Sequence, residues 1–138
     1  CFNSGSSCEK CDFETDVCKY FNELNLQSGW IRRNGRSGMG PLYSDHNGND
    51  SAYFLSLSSE MKSSSATLRT NVFLPTDKHR LCQITFHYWI SQMSGTLMVG
   101  LQKHSEDTIT NIWQASGELQ NQWKASTITI NSTEKYEV

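Results

Sequence analysis

The stretch that decides the fold runs from Cys82 to Leu101 and reads CQITFHYWISQMSGTLMVGL. In its first half, the cysteine and the apolar side chains share one parity, and mostly polar side chains share the other. The first parity consists of Cys82, Ile84, Phe86, Tyr88 and Ile90, and the second of Gln83, Thr85, His87, Trp89 and Ser91. After a break at residues 91–95, Leu97, Val99 and Leu101 alternate in the same way. The alternation predicts two half-buried strands, and the short break predicts that they pair as an antiparallel hairpin.

Alternating segments recur along the rest of the chain, with turn-forming residues between them. They cover residues 30–32, 52–58, 66–74, 109–113 and 123–130. In the third segment the alternation runs through Leu68, Val72 and Leu74. The last segment changes parity between Ala125 and Ile128, which predicts a β-bulge. Short strands at this regular spacing predict an all-β sandwich or barrel.

Size and charge exclude several classes of function. The chain has 138 residues, which is the length of a single domain, and a formal net charge of −2. Because the sequence has no surplus of basic residues, nucleic acid is not an expected partner. We interpret the local cluster of Arg32, Arg33 and Arg36 as a solvated loop. The sequence contains no run of about 18 apolar residues, so we expect no direct membrane insertion.

Five cysteines point to the compartment in which the protein works. Four of them lie within the first eighteen residues as C-x6-C-x2-C-x6-C, and Cys8 and Cys11 form a CxxC pair. The pair could belong to structural disulfides, to a zinc site of four thiolates or to a redox centre. Sequons at Asn49 and Asn131 predict N-glycosylation, and together with the cysteines they favour disulfides in an oxidising, extracytoplasmic compartment.

The order of these motifs resembles that of the MAM domain, an extracellular module of receptors and secreted proteins. The resemblance begins at Cys11-Asp12-Phe13-Glu14 with Cys18 and continues through Trp30 followed by arginine, Gly40-Pro41, Asp45-His46 and Ala52-Tyr53-Phe54-Leu55. It extends through Ile84-x-Phe86-x-Tyr88 and Gly95-Thr96-Leu97-x-Val99 to Trp113-x3-Gly117-x5-Trp123. Each motif alone is loose, but their common order is specific. One departure is Lys19-Tyr20, where the family usually has glycine and tryptophan.

The resemblance implies a domain layout and a disulfide pattern. It implies a jelly-roll β-sandwich of two antiparallel sheets at residues 11–138, after a disulfide-tied leader or linker at residues 1–10. It also implies a Cys11–Cys18 bridge, which leaves Cys1 and Cys8 as a second pair and the partner of Cys82 unknown. Family members usually continue into a further strand, often with another cysteine. We therefore expect this chain to lack its C-terminal strand.

The function implied by the resemblance is non-catalytic. We expect an extracellular module for protein–protein recognition or cell adhesion, within a larger multidomain cell-surface or secreted protein that passes through the secretory pathway. Its partners would be other extracellular proteins, with homophilic contacts in some members. The alternative is a calcium-assisted, glycan-binding jelly roll. The sequence offers no assembled nucleophile, base and acid and no G-x-S-x-G motif, so we expect neither an enzyme nor a required cofactor.

Two groups of residues are candidates for a site. Trp89 has the outward parity of its predicted strand, so it is a candidate hot spot for protein binding. Glu14 and Asp45, with Asp12 near them, could offer hard oxygen ligands to Ca²⁺. Asp45 lies in the long glycine-rich loop between residues 34 and 50, where the Asp45-His46 pair is expected to order the loop through hydrogen bonds. The other tryptophans, Trp30, Trp113 and Trp123, are expected to fill the core.

Overall fold

The structure is a computed structural model of the chain. It describes residues 10–18, 20–22, 29–38, 42–57, 65–76, 82–91, 95–117 and 121–138. These residues form two compact units, residues 10–70 and residues 71–138. Every strand pair in the described residues is antiparallel, and they contain no α-helix. The all-β prediction with antiparallel sheets is therefore confirmed.

The first unit consists of short strands and one turn of 3₁₀ helix. The elements are β1 (Phe21–Asn22), β2 (Ile31–Asn34), the 3₁₀ turn (Gly35–Ser37), β3 (Tyr53–Ser56) and β4 (Leu68–Arg69). β1 pairs with β4 and β2 pairs with β3. Ala52 and Phe54 are buried, as period-2 alternation requires for the inward parity of β3. The indole nitrogen Nε1 of half-buried Trp30 donates a hydrogen bond to the carbonyl oxygen of Ala66.

The second unit contains the longer strands. They are β5 (Cys82–Tyr88), β6 (Thr96–Lys103), β7 (Ile109–Ser116), β8 (Lys124–Ile130) and β9 (Tyr136–Glu137). One sheet pairs β5 with β8, and the other has the order β7-β6-β9. The core cluster takes one residue from each of β5, β6, β8 and β9, so the apolar faces of the two sheets meet; its members are Cys82, Leu101, Ile130 and Tyr136. Trp113 is half-buried and makes edge contacts with the rings of Phe86 and Tyr88, each at 5.0 Å between centroids.

The two strands of the Cys82–Leu101 stretch form, but they do not pair with each other. In the described residues β5 pairs with β8, and β6 pairs with β7 and β9. The hairpin prediction is therefore wrong. Alternation shows which side chains of a strand face the core, but it does not show which strand lies beside it. Here the residue opposite Thr85 is Thr127, which is 42 residues further along the chain.

The bulge lies in a different strand from the predicted one. β8 pairs with β5 in continuous register from Lys124 to Ile130, and Ala125 simply faces outward and is exposed. Because the predicted parity change rested on treating that alanine as a core residue, the prediction is wrong. The register shifts instead between β6 and β7 at Val99 and Gly100. A Cβ atom on Gly100 would overlap the Cγ2 methyl of Ile109, so the glycine leaves room for that side chain.

The alternation predicted through Leu68, Val72 and Leu74 is wrong beyond β4. Val72 and Leu74 are both exposed, and the inward residue is Phe73. Its backbone N–H donates to the carbonyl oxygen of Tyr136, and its own carbonyl accepts from the Tyr136 N–H. The ring centroids of Phe73 and Tyr136 lie 5.5 Å apart. A pair of mutual backbone hydrogen bonds fixes one residue of a loop against the β9 edge, and its neighbours then turn to solvent.

A charge lies on the buried face of β2. Arg33 is only 8% exposed, lies opposite buried Phe54, and places its guanidinium carbon 5.1 Å from the centroid of that ring. The solvated-loop prediction is wrong for Arg33, because β2 extends through it and gives it the inward parity. The same prediction agrees with the position of Arg36, whose exposed guanidinium pairs with exposed Asp50 at 2.9 Å. A surface pair of this kind contributes about 0–1 kcal/mol.

Candidate interaction surface

The outer face of the β5–β8 sheet is polar and exposed to solvent. We call it the outer threonine face; its members are Gln83, Thr85, His87, Ala125, Thr127 and Thr129, all exposed. The hydroxyl oxygens of Thr85 and Thr127 lie 2.9 Å apart, and the amide nitrogen Nε2 of Gln83 donates to the Thr129 hydroxyl at 3.4 Å. Cross-strand pairs of this type order side chains on a sheet face. The face therefore presents a fixed set of hydroxyl groups to solvent.

Trp89 comes directly after β5, two residues beyond His87. The structure shows it half-buried, so part of a large aromatic ring remains open to solvent. Aromatic side chains flanked by polar groups are the usual centres of protein interfaces. The structure thus places a candidate anchor at one end of the outer threonine face, and its role in binding stays a prediction.

The N-terminal disulfide loop is attached to β2 and β3 by one arginine. Cys11 and Cys18 are bonded, with Cα atoms 6.1 Å apart. The Arg32 side chain donates from Nε to the carbonyl oxygen of Phe13 and from Nη2 to that of Glu14. Its guanidinium also lies 3.5 Å above the ring of Tyr53. Closing a loop of this length stabilises the fold by about 2–3 kcal/mol in the chain-entropy model, and Arg32 positions the closed loop against the sheet.

A carboxylate completes the same attachment. The Oε1 atom of Glu14 accepts a hydrogen bond from the backbone N–H of Tyr53 at 3.1 Å, at the first residue of β3. Because this N–H begins a strand, it would otherwise need water as its acceptor. Arg32 thus joins the disulfide loop to β2, and Glu14 joins it to β3.

Asp45 orders its own loop. It is nearly buried, and its Oδ1 atom accepts the backbone N–H groups of Asn47 at 2.9 Å and Asn49 at 2.8 Å. The backbone N–H of Asp45 donates in turn to the carbonyl oxygen of Asn49 at 3.0 Å. Nδ1 of His46 lies 4.0 Å from the other carboxylate oxygen. An aspartate that accepts main-chain N–H groups two and four residues ahead is a typical organiser of a tight turn.

The described residues do not bring calcium ligands together. They contain no group of three or more histidine, cysteine, aspartate and glutamate side chains suited to a metal ion. Glu14 and Asp45 each use one carboxylate oxygen for main-chain N–H groups. Ca²⁺ requires six to eight oxygen ligands, so the geometry of these two side chains suits loop ordering better than cation binding.

Calcium binding is open to a direct measurement on the whole chain. We expect millimolar calcium to leave the melting temperature unchanged to within about 1 °C, because a ligand that does not bind the folded state cannot stabilise it. Magnesium at the same concentration controls for ionic strength. A calcium-specific rise of several degrees, removed by the Asp45→Asn substitution, would instead support the calcium prediction.

Cys82 also takes part in a disulfide, and its partner lies outside the described residues. The predicted Cys1–Cys8 bridge lies outside them too. With Cys11 and Cys18 bonded to each other, the cysteine count makes two patterns mutually exclusive. If Cys82 is bonded to Cys1 or to Cys8, the Cys1–Cys8 bridge cannot form, and the remaining cysteine of that pair is a free thiol.

Peptide mapping without reduction distinguishes the two patterns. Trypsin cleaves after Lys10 and Lys19, so it separates the Cys11–Cys18 bridge from residues 1–10. We expect peptide 1–10 to be linked to the peptide that contains Cys82, with one free thiol in the chain. Recovery of peptide 1–10 with an internal bridge, together with an alkylated Cys82, would contradict this expectation.

A comparison with protein-family models decides the family. The model described as the MAM domain, meprin/A5/mu, matches residues 11–138. The chain belongs to the MAM family. MAM domains are jelly-roll sandwiches of antiparallel sheets, and this confirms the predicted fold class. The predicted membership of the MAM family and the predicted Cys11–Cys18 bridge are confirmed as well.

Family membership fixes the class of function. MAM domains are extracellular adhesion or recognition modules that are generally non-catalytic, and they occur in the extracellular parts of receptors and secreted proteins. Among the described residues of this MAM domain, no helix is long and apolar enough to cross a membrane. The family therefore implies an extracellular adhesion or recognition module.

Both predicted glycosylation sites are accessible in this MAM domain. Asn49 and Asn131 are exposed. The Oδ1 atom of Asn49 accepts both the backbone N–H and the hydroxyl of Ser51, the hydroxyl residue of its own sequon. The Oδ1 atom of Asn131 accepts the hydroxyl of Thr76. In each case the carboxamide oxygen is engaged within the protein, and glycosylation stays a prediction.

Two features of the structure were not predicted from the sequence. Tyr43 is the most exposed of the large apolar residues in the part of the chain that the structure describes, at 69%. Arg33 is the opposite case, a cation inside the fold. Tyr43 lies in a loop, where no periodicity reports exposure. The burial of Arg33 did have a sequence signal, because Arg33 lies two residues after Ile31 and so shares the parity of that apolar residue. The neighbouring arginines led instead to the interpretation as a solvated loop.

Proposed function

We propose that this MAM domain is a non-catalytic recognition module of a larger multidomain cell-surface or secreted protein, and that it contacts other extracellular proteins through the outer threonine face and Trp89. The observation that supports the proposal is the exposed outer threonine face, with a half-open tryptophan ring directly after β5. Protein interfaces commonly combine an aromatic anchor of this kind with polar groups around it.

Binding of a partner to the outer threonine face should cost little side-chain entropy. Threonine is β-branched and has few rotamers, and Thr85 and Thr127 already restrain each other through their hydroxyls. Side chains with little freedom in the free protein lose little on binding. The six residues of the face include no lysine, arginine, aspartate or glutamate, so binding there should depend only weakly on ionic strength.

A multivalent probe tests the proposal. The chain is biotinylated at one terminus and tetramerised, because avidity reveals weak contacts, and is then applied both to an immobilised copy of itself and to cultured cells. We expect Trp89→Ala and Thr127→Arg to reduce the binding at least about tenfold, the usual effect at an interface centre. Circular dichroism confirms that both variants fold.

Met98→Ala is the matched control, because Met98 is 56% exposed on the sheet that contains β6 and β7. Binding that survives both substitutions in the outer threonine face, or that falls equally with the control, would overturn the assignment. Binding to the immobilised copy indicates homophilic contact, and binding to cells alone indicates a different protein partner. Calcium-dependent signals on a glycan array would instead favour the glycan-binding alternative.

A further inference from the structure

Arg33 is a buried cation without a counterion in the described part of the chain. It is 8% exposed, and its Nε and Nη1 atoms are buried without any hydrogen-bond partner there. Among the described residues its guanidinium lies against the ring of Phe54, at 5.1 Å from the guanidinium carbon to the centroid. Buried polar atoms in native proteins nearly always have partners, so two orphan donors on one side chain call for a missing acceptor.

The described neighbours of Arg33 on the inward face of β2 and β3 do not supply that acceptor. The inward parity of β2 and β3 places Arg33 on the same face as Ile31 and opposite Phe54, and Ala52 lies just before β3. None of these side chains accepts a hydrogen bond. Arginine cannot escape by losing its proton, because guanidinium stays charged in proteins. Burial lowers the pKa of Arg33, as expected for a cation that loses hydration and gains no anion in exchange.

We propose that Arg33 is the centre of an anion site that takes a small inorganic anion, a halide or an oxyanion, at its Nε and Nη1 donors. The small size follows from the burial, because a side chain that is 8% exposed cannot meet a peptide carboxylate or a sulfated polymer. Guanidinium donors suit both oxyanions and halides. The site is independent of the proposed recognition surface.

Thermal stability at constant ionic strength tests the site. The whole chain is melted in sodium gluconate, whose anion is too large to enter, and then in mixtures in which chloride or inorganic phosphate replaces gluconate. We expect the melting temperature to rise by about 3–6 °C as the fitting anion reaches 150 mM, since a ligand stabilises the state that binds it. Comparison of chloride with phosphate tells which anion fits.

Variants identify the residue responsible. Arg33→Met keeps an unbranched apolar stem and removes the guanidinium charge, so we expect a melting temperature in gluconate equal to or above that of the parent, with no response to chloride or phosphate. Arg33→Lys keeps a charge and should retain a reduced response. Arg36→Gln, at an exposed arginine, is the control and should keep the full response.

A second readout detects chloride binding directly. The chlorine-35 NMR line of the parent chain should broaden on binding, and the broadening should be lost in Arg33→Met. A parent melting temperature that responds to neither anion would overturn the proposal and indicate that water or a carboxylate completes the site. An anion response that persists in Arg33→Met would also overturn it.

Discussion

Replacement of Tyr136 with alanine is expected to lower the free energy of unfolding by about 3–5 kcal/mol, the usual cost of deleting a buried aromatic ring. Tyr136 is 1% exposed and belongs to the core cluster with Leu101 and Ile130. It is also the residue that fixes Phe73 through two backbone hydrogen bonds and a ring contact. Urea denaturation measures the loss as a lower midpoint with an unchanged slope.

Tyr43 offers a control with identical chemistry. Its side chain is 69% exposed, so Tyr43→Ala should change the unfolding free energy by no more than about 0.5 kcal/mol. If the two alanine variants lost similar stability, the core assignment of Tyr136 would be wrong.

Tyr136→Phe adds a test of pH dependence. Burial raises the pKa of Tyr136, so the folded state resists ionisation of the phenol more than the unfolded state does. The associated stability is complete below about pH 10, the ordinary tyrosine value, and is lost as the pH rises from there through the folded pKa. Tyr136→Phe should remove this part of the alkaline loss and keep most of the core packing. An alkaline profile identical to that of the parent would contradict the assignment.

Gly35→Ala is expected to cost about 3 kcal/mol, because it overpacks a buried position against main chain. A Cβ atom on Gly35 would overlap the carbonyl group of Tyr43, and these are main-chain atoms that cannot move aside as the end of a flexible side chain could. Gly35 is buried at the start of the 3₁₀ turn. The substitution should therefore push away the loop that Asp45 orders, in addition to lowering the urea midpoint.

Gly95→Ala is the matched control for Gly35→Ala. Apart from its chain neighbours, no described residue has an atom within 4 Å of the Cβ position at Gly95, and the backbone there has no positive φ. We expect its unfolding free energy to stay within about 0.5 kcal/mol of the parent. Amide chemical shifts at Asn47 and Asn49 report the loop, and they should change in Gly35→Ala alone. A stable Gly35→Ala with parental shifts would show that the two segments are not in contact.

The strands themselves could be predicted well, but their partners could not. The outer residues of β5 are exposed and Cys82 is buried, as alternation required. Alternation is a local property that each strand carries in its own side chains. Pairing is decided by which distant segment completes the apolar layer, so the short break after Ser91 predicted a hairpin that the chain does not form.

The site was predictable only where it depended on strand parity. Outward parity correctly identified Gln83, Thr85 and His87 as exposed. The contacts of Arg32 could not be foreseen in the same way, because they join it to carbonyl groups in another part of the chain. Main-chain acceptors are present at every residue, so no sequence signal distinguishes the two that an arginine will meet.

The choice of acceptor by Arg32 has a consequence for how the N-terminal loop can change. The arginine binds the carbonyl oxygens of Phe13 and Glu14, and every amino acid supplies that atom. The bridge between Cys11 and Cys18 and the Arg32 side chain hold the backbone, and Asp12 and Asp16 stabilise it further by accepting the backbone N–H groups of Glu14 and Cys18. The loop is therefore suited to diversification at exposed Thr15: a library at this position would display new side chains on a backbone whose anchorage does not depend on them.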